Sequence, residues 1–282
     1  MVEVRDAATV MLVRDRPDLE VFMLRRSNQV VFGPGASVFP GGAVDPDDAR
    51  VPILGRSHAE ADALVTRPDA LRWFAAAARE VFEESGFLLT THDLTADAGA
   101  EVVAGHRAAV NAGARAFADV LTDHGTAVAA DRMFLFSHWL TPEGSPRRYD
   151  TWFLAAAVPD GQEGVHDNSE AVHSEWVRPA EMLHRWSRDD VELIFPTMRT
   201  LQVLEQFESA AALLESLRAV DAEATANGTA PWVIDDASGE RVAHSFDDPM
   251  SRRRGWRALT SAWERDAAAE AADRRARMAR GA

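Results

Sequence analysis

Glu80, Glu83 and Glu84 stand close together in the run Arg79-Glu80-Val81-Phe82-Glu83-Glu84-Ser85-Gly86-Phe87. A helix turns by about 100° per residue, so these three carboxylates share one face. Like charges placed this way repel. A hard divalent cation reverses the sign, because Mg²⁺ or Mn²⁺ takes oxygen donors and bridges carboxylates to phosphate. Metal-assisted phosphate chemistry is therefore one reading, and a solvated acidic face is the other. Arg79 lies four residues before Glu83 and can pair with it. Upstream, Phe39-Pro40-Gly41-Gly42 offers backbone carbonyls and amides that a ligand can approach closely.

The elements around these residues can be read from periodicity. Trp73, Phe74, Ala77, Val81 and Phe82 give the acidic helix an apolar stripe, Gly86 ends it, and Asp69 is placed to cap its start. Residues 7–13 and 21–24 are β-leaning runs joined by Asp15-Arg16-Pro17-Asp18, a hairpin-like pair. Short strands are expected at 37–39, from Phe87, at 134–142, 147–155 and 174–177. Residues 43–69 read as a long acidic loop with at most one helical turn, and Glu101 to Leu121 as one helix. A helix begins near Pro179, and another opens at Pro196 and carries Met198, Leu201, Leu204, Phe207 and Leu213. After Val220 the pattern becomes polar, with a hairpin around Trp232-Val233-Ile234 and Arg241-Val242 and a helix from about Ser261. Mixed strands alternating with helices indicate an α/β sandwich around a mixed sheet.

The run from Arg79 to Phe87 resembles the signature of the Nudix hydrolases, G-x5-E-x7-R-E-U-x-E-E-x-G-U, where U is apolar. Taking Gly42 as the first Gly puts the signature's Arg at Arg56, which Ser57 and His58 follow, so the match resumes only 23 residues later at Arg79. Counting back from Arg79 places the signature's first Glu on Leu71. That acid is missing, or Asp45, Asp47, Asp48 or Asp69 supplies it. Leu24-Arg25-Arg26-Ser27, Val38-Phe39-Pro40-Gly41-Gly42, the insertion, Trp139-Leu140-Thr141-Pro142 and Arg148-Tyr149-Asp150-Thr151 follow the order of the peroxisomal coenzyme A diphosphatase-like subgroup. The resemblance implies a Nudix α/β/α sandwich over residues 1–217, with an insertion at 43–69 and a helical addition at 100–125. Residues 218–282 form a C-terminal extension, helical or partly disordered. It also implies hydrolysis of a diphosphate in coenzyme A or acyl-coenzyme A. Glu83 and Glu84 would hold Mg²⁺ or Mn²⁺, with Glu80 sharing an ion or helping deprotonate water. A further acid is expected from a distant loop, at Glu170 or behind it Asp167.

Composition sets the bounds. The chain has 282 residues, 46% of them hydrophobic, and a net charge of −15. This argues against a nucleic-acid backbone as partner and makes an anionic substrate depend on metal ions and local arginines. Arg25, Arg26, Arg147 and Arg148 are the arginines placed for phosphate, with Gly42 beside them; Phe32, Trp139 and Tyr149 offer faces for adenine. There is no Cys, and the basic residues are all Arg, so thiol and Schiff-base chemistry are excluded. The His residues form no zinc spacing, and no G-x-S-x-G elbow occurs. No apolar signal core, membrane-length run or peroxisomal address is present, so the expectation is a cytoplasmic protein off the membrane. Family members are often dimers, but no stretch here specifies a homodimer interface. The competing functions are a Nudix hydrolase of ADP-ribose, dinucleotides or nucleotide sugars, and a non-catalytic nucleotide-binding module.

Overall fold

Residues 7–13 are apolar apart from Thr9, and such a run suits a strand covered on both faces. In the computed structural model this run forms the centre of β1 (Val4–Asp15), which turns back into β2 (Leu19–Arg26). The structure describes residues 2–29, 33–141, 147–167 and 170–227, with two short strands beyond them. β3 (Ala36–Val38) and β4 (Gly41–Ala43) follow, then a 3₁₀ turn at Pro46–Arg50, β5 (Ile53–Leu54) and α1 (His58–Val65). Next come α2 (Leu71–Ser85), α3 (Leu94–Ala98), α4 (Ala100–Asn111), α5 (Phe117–Asp123) and β6 (Val128–Ala129). β7 (Met133–Leu140), β8 (Arg148–Ala157) and β9 (Ala171–Val177) complete most of the sheet. α6 (Pro179–Ser187), β10 (Glu192–Leu193), α7 (Phe195–Leu204) and α8 (Ala210–Asn227) finish the first unit.

The main sheet has the order β10-β3-β2-β1-β8-β7, with β4 also pairing β1 and β9 also pairing β2. β1 and β8 are parallel from Val4↔Arg148 to Val13↔Ala157, whereas β7–β8, β1–β2 and β2–β9 are antiparallel. This is the expected mixed sheet with helices packed on it. α2 lies against β1 and β4, and α8 against β1, β7 and β8. Phe74, Val81 and Phe82 of α2 are fully buried, each contributing about 1.5–3 kcal/mol by leaving water. Phe82 meets Phe117 at 5.5 Å between centroids, and Phe87 meets Phe22 edge-on at 5.2 Å.

Several expectations change. The insertion holds more structure than a loop with one helical turn: β5 pairs in parallel with β6, and α1 is an eight-residue helix capped by Ser57 and Glu60. Its polar composition was the surface of a folded segment. Asp69 does not cap α2, because it adopts a left-handed φ of 56° and Ala70 takes the N-cap position. Residues 87–89 form no strand; Leu89 accepts from Ala129 N and Thr90 makes only an isolated bridge to Val128. The helix expected over 101–121 breaks at Gly113, whose φ is 65°, into α4 and α5. The one expected from Pro196 is likewise two, α7 and α8.

The chain divides into two compact units, residues 1–230 and 231–282. The boundary expected at 217/218 falls inside α8, whose buried positions Leu213, Leu217, Asp221 and Ala224 continue past it. In the second unit, β11 (Val233–Ile234) pairs antiparallel with β12 (Arg241–Val242), as the sequence indicated. The helix expected from Ser261 lies outside the described residues, as does Phe32.

Candidate active site

The site begins with the docking of α2 on the β3–β4 turn. Bonds from Val10 N to Pro40 O and from Val44 N to Asp6 O fix the β1–β4 ladder. In an antiparallel ladder bonded and non-bonded pairs alternate, so Gly41, opposite Thr9, turns its N–H and carbonyl away from β1. The Gly41 N–H donates to Glu84 Oε2 at 2.9 Å, and the Gly41 carbonyl shares that side. Gly42 allows the second close approach. A Cβ there would sit 2.4 Å from Glu80 Oε1. Gly86 ends α2 with a φ of 82°, its N–H donating to the Phe82 carbonyl.

Arg79 organises the acids. Its Nε and Nη2 donate to the two oxygens of Asp48 at 2.8 and 3.1 Å, and Nη2 also reaches the Ala43 carbonyl at 2.8 Å. Nη1 bonds Glu80 at 2.8 Å and Glu83 at 3.3 Å. The expected Arg79–Glu83 pair is present, but the buried partner is Asp48, whose side chain is 1% exposed. Burial works against the Arg79 cation; the Asp48 bonds and the Glu80 and Glu83 charges outweigh it, so its pKa is raised. Among the four acids weighed for the missing signature position, the geometry selects Asp48. The sequence contained the signal. Counting forward from Gly42 puts the acid of G-x5-E on Asp48, so the insertion follows this acid instead of preceding it. Leu71 is the buried first residue of α2, and Arg56 binds Asp221 at 2.9 Å inside the insertion's anchor.

The carboxylates are held under electrostatic pressure. Burial pushes Glu80 up to about 7, with Arg79 offsetting it in part and Glu83 adding repulsion. Burial also raises Glu83. Glu84, buried and not bonded to Arg79, is raised well above the carboxylate range by burial first and by Glu80 next. Among the described residues no three acidic or His side chains form a ready metal cage. A hard-oxygen set crowded in this way still fits Mg²⁺ or Mn²⁺, since Mg²⁺ keeps waters and substrate oxygens among its ligands.

Arg26 and Glu170 both act on the charge of Glu84, so the β2 end and the start of β9 reach the site. Ser27 N donates to the Glu170 carbonyl at 2.8 Å, while Asp167 accepts from the Glu170 and Ala171 amides at 3.1 Å each. Arg25 is exposed, and the β2–β9 register slips between it and Arg26. Arg148 Nε donates to the Thr141 carbonyl at 3.0 Å. Neither Arg25 nor Arg148 makes a hydrogen bond or ion pair to the helix acids among the described residues. Trp139 meets Phe195 at 5.8 Å and Phe153 at 6.4 Å, so it is partly core. Two residues without any motif also reach α2. Arg107 Nε and Asn111 Nδ2 donate to the Glu83 carbonyl at 3.0 and 3.1 Å. A cavity of about 660 Å³ near Arg14, Asp160 and Trp176 is lined by none of the signature residues.

A family model described as the NUDT19 Nudix domain matches residues 43–204, more than half of the chain. The chain belongs to the Nudix hydrolase family. This Nudix chain is 31% identical over 177 residues to a Caenorhabditis elegans protein named as nudix hydrolase 7, covering 63% of this chain and 52% of that one. It thus spans about half the length of that relative. Acyl-coenzyme A diphosphatase NUDT19 of Gallus gallus is 25% identical, with 81% of this chain and 74% of that protein covered. A crystal structure of a NUDIX hydrolase from Alicyclobacillus acidocaldarius superposes with a TM-score of 0.60 at 26% identity, covering 77% of this chain and 98% of that one. Among the described residues no helix is long and apolar enough to cross a membrane.

Proposed function

We propose that this Nudix chain hydrolyses the diphosphate of a nucleotide derivative, with coenzyme A or acyl-coenzyme A as substrate and 3′,5′-ADP and (acyl-)phosphopantetheine as products. The observation that carries the reading is the joint docking of α2. Arg79 holds Glu80 and Glu83 beside Gly42, while the Gly41 N–H holds Glu84. The named activity of the Gallus gallus relative supports the substrate class. Glu80, Glu83 and Glu84, with the Gly41 carbonyl, would hold Mg²⁺ or Mn²⁺, and Glu170 is the acid the loop adds. Such ions, when bound, lower the pKa of water and neutralise charge on the phosphates. Glu80 would share such an ion or help deprotonate the attacking water. Asp48 acts through Arg79 and keeps the acids in register with the Gly41-Gly42 backbone.

The test incubates the protein and its Glu83→Gln variant with coenzyme A and with ADP-ribose in the presence of Mn²⁺. Release of 3′,5′-ADP from coenzyme A, lost in the variant, is the expected result. AMP from ADP-ribose alone would keep the chemistry and replace the substrate. No turnover on a wider diphosphate panel would leave a nucleotide-binding module without hydrolysis.

A further inference from the structure

The connection from β8 to β9 lies outside the Nudix signature, yet it grips the end of the helix that carries the acids. α2 ends at Ser85, the chain turns at Gly86, and residues 87–89 form no strand, so no ladder holds the exit of the helix. Three residues of the connection hold it instead. The Gln162 side-chain amide takes both backbone groups of Leu88: Oε1 accepts from the Leu88 N–H at 2.8 Å, and Nε2 donates to the Leu88 carbonyl at 3.3 Å. The Val165 N–H donates to the Ser85 carbonyl at 2.9 Å. Between them, Gly164 lies so close to Phe87 that an added Cβ would overlap its ring. Residues 162–165 thus clasp residues 85–88, on both sides of the Gly86 turn. Beyond the clasp, Asp167 accepts from the Glu170 and Ala171 amides at 3.1 Å each, and the Glu170 carbonyl accepts from Ser27 N at 2.8 Å. This tight turn keeps Glu170, five positions after Val165, close to the clasped end of α2. Asp160 to Gly164 also line the cavity of about 660 Å³, together with Arg14, Trp176 and Ala211. The segment therefore has open space beside it, and its hydrogen bonds to α2, more than packing, decide where it stands.

We infer that Gln162 is a positioning residue, which sets the β8–β9 connection against the end of α2 and with it the separation of the Glu170 carboxylate from Glu83 and Glu84. This rests on the proposed metal-assisted chemistry, in which Glu170 is the acid the loop adds. An ion shared between two elements is bound tightly only where their separation is fixed in advance. A side-chain amide suits that task, because it carries a donor and an acceptor and can hold both backbone groups of one residue at once. Removing it leaves the Leu88 N–H and carbonyl short of partners and lets the connection shift into the adjoining cavity. Gln162 supplies no ligand itself and acts through the backbone of Leu88.

Two substitutions separate positioning from plain support of the fold. Gln162→Met keeps the length of the side chain and removes both hydrogen bonds. Gln162→Glu keeps the acceptor for the Leu88 N–H and loses the donor, and it carries the same comparison if the Met side chain disturbs folding. Mn²⁺ affinity is measured by calorimetry without substrate, alongside melting, kcat and KM at saturating Mn²⁺, and each substitution is repeated in a Glu170→Gln background. Gln162→Met is expected to bind Mn²⁺ roughly tenfold more weakly, the loss of two hydrogen bonds, with KM unchanged at saturating Mn²⁺. Gln162→Glu is expected to recover part of the affinity. In the Glu170→Gln background neither substitution should weaken Mn²⁺ binding further, because the separation that Gln162 sets then lacks one of its acids. Unchanged Mn²⁺ affinity in both Gln162 variants, equal weakening in the two backgrounds, or wild-type affinity in Glu170→Gln itself overturns the inference, while wild-type turnover preserves the diphosphatase reading. A wild-type protein that neither binds Mn²⁺ nor cleaves a diphosphate removes both.

Discussion

Asp48 is the residue on which the arrangement of acids turns. Its carboxylate takes both prongs of a guanidinium that is itself 11% exposed, and it also accepts from the Asp45 amide at 2.7 Å. Removing one partner of a buried ion pair leaves the other uncompensated, so Asp48→Ala should lower unfolding free energy by about 3 kcal/mol. Activity should fall at least tenfold, because Arg79 is then free to neutralise Glu80 and Glu83. Urea unfolding and steady-state turnover check the two parts, and Asp48→Glu should retain the ion pair. Gly42→Ala forces Glu80 away from the backbone, since the added Cβ would lie 2.4 Å from its oxygen; turnover should drop sharply with a smaller change in melting. Glu80, Glu83 and Glu84 all have raised pKa values, so cation binding near pH 7 should release protons. Calorimetry in buffers of different ionisation enthalpy measures that release, and a buffer-independent enthalpy would refute it. The acids of α2 were legible because their spacing within one helix is short. Asp48 was legible only from the Gly42 side, since 30 residues separate it from Arg79.

At the scale of elements, the insertion is fastened at both of its ends. Arg56 lies over the Phe74 ring and bonds the Met133 carbonyl and Asp221, at 3.3 and 2.9 Å. Arg67 bonds Asp6 at 2.8 Å and also Asp150, which binds His138 in turn. Arg67→Ala should therefore raise amide exchange in α1 and in residues 66–70 while KM for the diphosphate stays unchanged. Hydrogen-exchange mass spectrometry with parallel kinetics tests this, and unchanged exchange would show that Arg67 does not fasten the segment. The insertion read as a loop with at most one helical turn because its periodic stretch is only eight residues long. The single helix expected over 101–121 failed for a related reason. Apolar spacing continues through Gly113 and does not register a left-handed break. Strands β1, β2, β7, β8 and β9 were readable because their β-branched and aromatic runs are bounded by turn residues.

For the whole first unit, the Arg56–Asp221 pair joins the insertion to α8, elements 165 positions apart in sequence. Burial raises the Asp221 pKa to about 6 in spite of the Arg56 charge and its hydrogen bond. For an acid whose folded pKa exceeds its unfolded value, the native state binds the proton more tightly. The stability associated with that proton is present at low pH and is lost as pH rises through about 6. The melting temperature of Asp221→Asn relative to the wild type should thus increase from pH 4 to 6 and level off above. A flat difference across that range would refute the assignment. No local pattern foretold this connection, because Asp221 looks like an ordinary polar position on a surface helix. The expected boundary at 217/218 lies within the same helix, α8. α8 is held by contacts to the sheet and to α1 that only the folded chain creates.

Glu83 and Glu84 lie in the last turn of α2, where aligned peptide dipoles concentrate negative potential. Donors from three places gather there: the Gly86 amide on Phe82 O, Arg107 and Asn111 on Glu83 O, and the Val165 amide on Ser85 O. Hydrogen bonds satisfy those carbonyls, yet the field of the helix still opposes both carboxylates. The helix that carries the acids is therefore an electrostatic spring, compressed when no cation is near. A divalent ion that binds only the folded chain should relax it, adding about 2.7 kcal/mol of stability at a hundredfold excess over its dissociation constant. Chelation should lower the melting temperature correspondingly. How firmly this protein stays folded would then track the free divalent ions around it, linking its persistence to the ions proposed for its chemistry.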